Sequence, residues 1–165
     1  MKVVTLGPEK IGHVPIEKAF DAIYNEQVLT NLYGSSLKVT SWVEDERTME
    51  FDLDICDVPD ELKRIFNAPK IHVTNIQRVT RSCHSKWEIN NEMTLHFLGS
   101  SFISIQPFFI LHRQGDMTYL TGVVEHQAKL PPPIKSIAEH FMSLQTEKQL
   151  LKYKSIVRKI HLQSQ

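Results

Sequence analysis

No run of about 18 apolar residues occurs in the sequence, so no segment reads as a membrane-spanning helix. Met1 to Thr5 lead straight into Gly7, Pro8 and Glu9 with no apolar stretch of signal-peptide length. Net charge is missing as well. The 19 Lys and Arg balance 19 Asp and Glu, so no global electrostatic pull toward nucleic acid or an acidic membrane is expected. There are only two cysteines, Cys56 and Cys83, in no CxxC or Cys/His spacing. They read as buried or incidental thiols in a reducing compartment, with a disulfide between them as the lesser alternative. These absences predict a soluble, cytoplasmic protein with no nucleic-acid partner. The length suits one domain spanning 1–165, large enough to bury a core without staples.

Catalytic and metal signatures are lacking too. The eight histidines are scattered, and His72, His84, His96 and His126 form no HxH or HExxH pattern with acidic partners. Glu125 beside His126, and Glu139 beside His140, are adjacent pairs whose side chains diverge on a strand or a helix. Ser100 and Ser101 follow Gly99 without a GxSxG elbow, and Cys83 before His84 has no local signature. Six glycines make no phosphate-cradling loop. No catalytic residue, metal ligand or cofactor is expected.

What is present is organised around the tail. From Pro133 to about Gln163 there is no Gly or further Pro, and Ile134, Ile137, Ala138, Phe141 and Leu144 recur at helical spacing. Such a helix is roughly 45 Å long at about 1.5 Å per residue. Upstream, Val3 to Val14 is broken by Gly7, Pro8 and Gly12 and suggests an edge strand. Pro15 opens a helix over Ile16 to Asn25, and a second short helix runs from Glu26 to Leu32 before Gly34.

Strands follow. Leu37 to Val43 precedes Thr48 to Ile55, in which Met49, Phe51, Leu53 and Ile55 share a face, and Glu44 to Arg47 reads as the polar turn between them. Asp57 to Phe66 predicts a short helix. Ile71 to Thr80 returns to strand composition, and Ser85 to Phe97 alternates longest, about 40 Å at roughly 3.3 Å per residue. Phe102 to Arg113 is apolar on both faces and so asks for two covers. Met117 to Lys129 is the last strand before Pro131, Pro132 and Pro133.

This order, strand, two short helices, a run of strands and a long helix, resembles the helix-grip fold of the START-like superfamily, which includes birch-pollen-allergen-like proteins, polyketide cyclases and lipid-transfer domains. Val14, Pro15, Ile16, Glu17, Lys18, Ala19 and Phe20 look like that superfamily's P-x-E-x-A/V-F approach to the first helix. Pro69 to Thr80, with Lys70, Val73, Thr74 and Gln77, is similar to a strand of the VASt-type lipid-binding members. The resemblance implies an α+β helix-grip fold: a curved antiparallel sheet of six to seven strands, two short helices after strand 1, and a long C-terminal helix packed across the sheet.

It further implies a cavity between sheet and tail helix for an apolar ligand such as a lipid or sterol. The inward positions then supply Phe51, Leu53, Trp87, Met93 and Phe109 from the strands, and Ile137, Phe141 and Leu144 from the helix. Gln77, Asn91 and Glu125 are the polar candidates among them, although a one-residue slip would exchange Glu125 for His126. A solid core is the alternative to a cavity. Three functions stand side by side: a non-catalytic carrier or sensor of an apolar molecule, a cyclase or aromatase on a polyketide-type substrate, and a protein-interaction module. Lys148, Lys152, Lys154, Arg158 and Lys159 read as a solvated face of the tail helix, with transient membrane contact as the alternative. A monomer is expected, with a homodimer as the other option.

Overall fold

The structure, a computed structural model, describes residues 2–54, 58–66, 70–97 and 100–163. Expectations placed on Ile55, Cys56, Pro69, Leu98 and Gly99 lie outside these residues, as do those on the side chains of Ile65, Phe66, Phe97 and Phe102. The chain runs β1 (Lys2–Gly12), α1 (Ile16–Tyr24), α2 (Glu26–Tyr33), β2 (Lys38–Val43), β3 (Glu46–Asp54), α3 (Asp60–Phe66), β4 (Lys70–Cys83), β5 (Lys86–Phe97), β6 (Ser100–Gln114), β7 (Met117–Ala128) and α4 (Ile134–Gln163).

The strands form one antiparallel sheet in the order β1-β7-β6-β5-β4-β3-β2. Strands β2 to β7 pair in sequence, and β1 pairs with β7. Helices α1 and α2 therefore carry the chain from one edge of the sheet to the other. The helix-grip architecture expected from the order of elements is the architecture observed.

Local chemistry sets the boundaries. Ile16, Ala19, Phe20 and Ile23 give α1 its buried face. Asn25 ends that helix and caps the next, its Oδ1 accepting from the Val28 backbone N–H at 2.9 Å. Gly34, at φ 103°, closes α2 through its N–H to the Thr30 carbonyl at 2.8 Å. Gly7 is fixed by sterics as well as by φ 78°, because a Cβ there would meet the Leu120 carbonyl oxygen at 2.5 Å.

The β2–β3 turn is tighter than the run Glu44 to Arg47 suggests. Val43 pairs with Glu46, leaving only Glu44 and Asp45 in the turn, with Glu44 at φ 53°. A two-residue loop of this kind matches the right-handed twist of its flanking strands. Arg47 is therefore a strand residue, opposite Trp42 on one side and Gln77 on the other. Because Met49 and Phe51 point inward, the period of two points Arg47 inward as well.

Helix α4 buries Ala138, Met142, Thr146, Leu150, Tyr153 and Val157, a stripe at spacings of four and three. It packs against β1, β7 and the three short helices. Lys148, Lys152, Lys154, Arg158 and Lys159 are exposed. Phe108 and Ile110, on the outer face of β6, are half-buried beside their cross-strand neighbours Val123 and Thr121.

Candidate functional site

Between the inner face of the sheet and the helices lies a cavity of about 390 Å³. Its strand walls are stacked register rows. Phe51, Val73, Leu95 and Ile103 stand side by side across four strands, and Met93 and Ile105 form the next row. Phe109 and Pro107 close one end, and Val124 lines it from β7. Leu32 and Tyr33 of α2, Leu62 of α3, and Phe141, Met142 and Tyr153 of α4 form the other wall. Gly122 shapes this floor, because it faces Phe109 across the β6–β7 ladder and a Cβ there would lie 2.8 Å from the Phe109 ring.

One register row departs from this apolar pattern. Arg47, Gln77 and Asn91 stand abreast on β3, β4 and β5, all buried, and Asn75 lies one row away. Arg47 Nε and Nη2 donate to Gln77 Oε1 at 3.1 and 2.6 Å. Gln77 Nε2 and Asn75 Nδ2 both donate to Asn91 Oδ1, at 3.2 and 3.0 Å. Asn91 Nδ2 in turn donates to the carbonyl of Pro107 at 3.2 Å. The row thus runs from a guanidinium to a residue of the cavity wall. Trp42 covers the guanidinium with its ring centroid 4.4 Å away.

Three tyrosines act electrostatically on Arg47, of which Tyr24 and Tyr153 are buried and Tyr33 is half-buried. The hydroxyls of Tyr33 and Tyr153 share a hydrogen bond at 3.2 Å. Tyr24 packs against Phe20, Phe109 and Tyr153 with ring centroids 5.1 to 6.1 Å away. Burial pushes the Tyr24 and Tyr153 phenols well above their ordinary range and raises that of Tyr33, so all three remain neutral donors. Burial also lowers the Arg47 guanidinium, an effect opposed by the nearby tyrosines and by Glu26. Among the described residues lining the cavity, Lys152 is the one charged side chain and there is no Asp, Glu or His.

Phe51, Leu53, Met93, Phe109 and Phe141 line the cavity. Gln77 and Asn91 belong to the polar row behind it. Trp87 is buried beyond it, against Phe20 and under Arg81. Ile137 and Leu144 border a shallow surface groove on α4, and Leu144 is 44% exposed. Glu125 sits on the outer face of the sheet beside a groove shared with Arg78 and Glu92, while His126 is the inward neighbour. His126 Nε2 is bonded to Ser143 Oγ of α4 at 3.1 Å. Arg47, Asn75 and the three tyrosines were not among the sequence candidates. Arg47 carried a signal, because it precedes Met49, Phe51 and Leu53 at the same period of two. The tyrosines occupy ordinary apolar positions of helices, and nothing in their spacing marks them.

No protein-family model matches the sequence, and no curated protein sequence matches it. Solved structures do share its shape. The Zhui aromatase/cyclase from Streptomyces sp. R1128 is similar at a TM-score of 0.59 and 6% identity, covering 96% of this chain and 92% of that one. A protein of Thermus thermophilus gives 0.57 at 10% identity, covering 96% and 95%. Ara h 8.0201 gives 0.54 at 10% identity, covering 96% and 99%. Identities this low speak to fold alone: the chain has a helix-grip fold.

Proposed function

We propose that the chain, as one domain over 1–165, binds an apolar small molecule in the cavity between sheet and α4 without transforming it. The observation that carries this reading is the cavity itself: about 390 Å³, walled by Phe, Met, Leu, Ile and Val, with the hydrogen-bonded hydroxyl-bearing side chains of Tyr33 and Tyr153 among its few polar ones. Sites for small ligands are typically built this way, with about 300 to 1,000 Å³ of mostly apolar wall and few polar anchors. The lack of Asp, Glu and His among the described lining residues favours binding over turnover, because proton abstraction needs a base within reach of the substrate.

A second reading, a cyclase or aromatase acting on a polyketide-type substrate, draws on one observation. Tyr33 and Tyr153 line the cavity, and their neutral hydroxyls are donors suited to a developing oxyanion. It ranks second because a donor without a base is half of such a mechanism. Among the described residues no helix is long and apolar enough to cross a membrane, so any membrane contact during ligand exchange would be a surface one.

Titration with Nile red, an uncharged apolar fluorophore, tests the first reading. Saturable binding near one per chain is expected, and loss of that binding in Val73→Phe, which fills the cavity from β4. Absence of saturable binding to the unaltered protein would remove the proposal.

A further inference from the structure

The polar side chains lining the cavity are confined to one wall. Among the described lining residues the strands contribute apolar side chains throughout, from Phe51 and Val73 to Ile105 and Phe109. The uncharged polar ones, Asn31, Tyr33, Gln145, Thr146, Gln149 and Tyr153, all come from α2 and α4. Lys152, the one charged side chain among the described lining residues, is exposed, so its ammonium stays hydrated and calls for no buried counter-charge.

Two members of this wall meet. The Tyr33 and Tyr153 hydroxyls share one hydrogen bond at 3.2 Å. Tyr153 is 2% exposed and Tyr33 is half-buried. Each phenol brings one O–H proton and an oxygen that also accepts. Whichever of the two donates to the other, one proton is spent between them and one is left over. Gln149 does not take it up. Its Nε2 donates to the Leu32 carbonyl at 2.8 Å, and its hydrogen bond to Tyr33 favours ionisation of that phenol, which is the effect of a donor. Buried tyrosine hydroxyls ordinarily find a partner, and both of these residues line the cavity. The missing acceptor is therefore one that a molecule inside the cavity is placed to supply.

Resting on the reading of the cavity as a ligand site, we infer that its ligand is an apolar molecule carrying an uncharged carbonyl oxygen, which accepts from the Tyr33–Tyr153 pair while the hydrocarbon body lies on the strand wall. A pure hydrocarbon would leave a phenol proton unsatisfied. A carboxylate would lose its hydration for a single neutral donor, with no buried cation among the described lining residues to offset the charge. A ketone, aldehyde or ester carbonyl needs one donor and no counter-charge.

The test uses two competitors of bound Nile red that differ in one group, heptylbenzene and 1-phenyl-1-heptanone. The quantity read is the ratio of their displacing concentrations, compared between the unaltered protein and Tyr33→Phe/Tyr153→Phe, so that their different solubilities in water cancel. Both tyrosines are changed because either alone keeps one O–H for the ligand. The double variant is expected to weaken the ketone relative to the hydrocarbon by about 5-fold, the size of one neutral hydrogen bond. Retained displacement by heptylbenzene shows that the cavity is intact. Should the double variant fail to fold, the C=O stretching band of the ketone bound to the unaltered protein decides: a shift to lower frequency than in a hydrocarbon solvent is expected, and an unshifted band would overturn the inference. An unchanged ratio in a folded double variant would overturn it as well and leave the apolar cavity reading standing. If Nile red itself does not bind, both fall together.

Discussion

Arg47 and Gln77 face each other across β3 and β4, and two nitrogens of the guanidinium converge on a single amide oxygen, at 3.1 and 2.6 Å. That geometry aligns the side-chain amide of Gln77 so that its own N–H reaches Asn91 Oδ1. Asn91 then acts as the hub of the row, accepting from Gln77 and Asn75 and donating to Pro107.

Asn91→Ala removes that hub and orphans two amide donors and a carbonyl in a buried layer. A buried polar group left unsatisfied costs about 1–3 kcal/mol, so a loss of about 2–3 kcal/mol is expected for the cluster. Urea denaturation followed by circular dichroism measures it. A midpoint unchanged from the parent protein would show that the row contributes little to stability.

Gly122→Ala should act on the cavity from behind. Its new methyl would stand 2.8 Å from the Phe109 ring, so the ring must shift. Overpacking of this kind costs about 1–3 kcal/mol. The expected outcome is a lowered melting temperature together with weaker Nile red binding, because Phe109 lines the cavity. Unaltered binding would mean that Phe109 does not define the cavity end.

Along α4 the two neighbouring apolar positions should behave differently. Phe141→Glu places a carboxylate at the cavity wall and is expected to abolish apolar ligand binding. Leu144→Glu falls on a residue 44% exposed and should change stability by no more than about 0.5 kcal/mol. Equal losses in both variants, read by dye binding and thermal melts, would contradict the orientation of the helix.

High pH should expose the buried tyrosines. The folded-state pKa of Tyr24, Tyr33 and Tyr153 is raised by burial above the ordinary value near 10. Their contribution to stability is therefore complete below about pH 10 and is lost as pH rises through the folded-state values. An alkaline titration should show their tyrosinate absorbance growing together with loss of circular dichroism. Ionisation of these three in a chain that keeps its fold would refute the burial argument.

The fold was legible because its signals were strong and local. Alternation placed Phe51, Leu53, Trp87, Ile89, Met93 and Phe109 on the inner face, and Gly34 and the proline-rich approach marked helix ends. The polar end of the site was much less legible. Glu44 to Arg47 is a run of charged residues, and charge usually signals a turn; the two-residue turn instead left Arg47 to continue the inward alternation of β3. Glu125 and His126 differ by one register step, which only the pairing of β7 with β6 and β1 resolves. Tyr24, Tyr33 and Tyr153 come from three helices and meet only in the tertiary structure, so no spacing in the sequence announces them. The rotation of α4 was partly hidden for a related reason: Phe141 and Leu144 are both apolar and three residues apart, yet the buried stripe passes through Ala138, Met142 and Thr146.

Native mass spectrometry of the protein isolated from cells without denaturant tests most directly whether the cavity between the sheet and α4 binds an apolar molecule. The expected spectrum shows the chain carrying one small apolar molecule that denaturation releases, with the bare-chain mass alone in Val73→Phe. A bare-chain mass for the unaltered protein, together with no uptake of added Nile red, would contradict the claim.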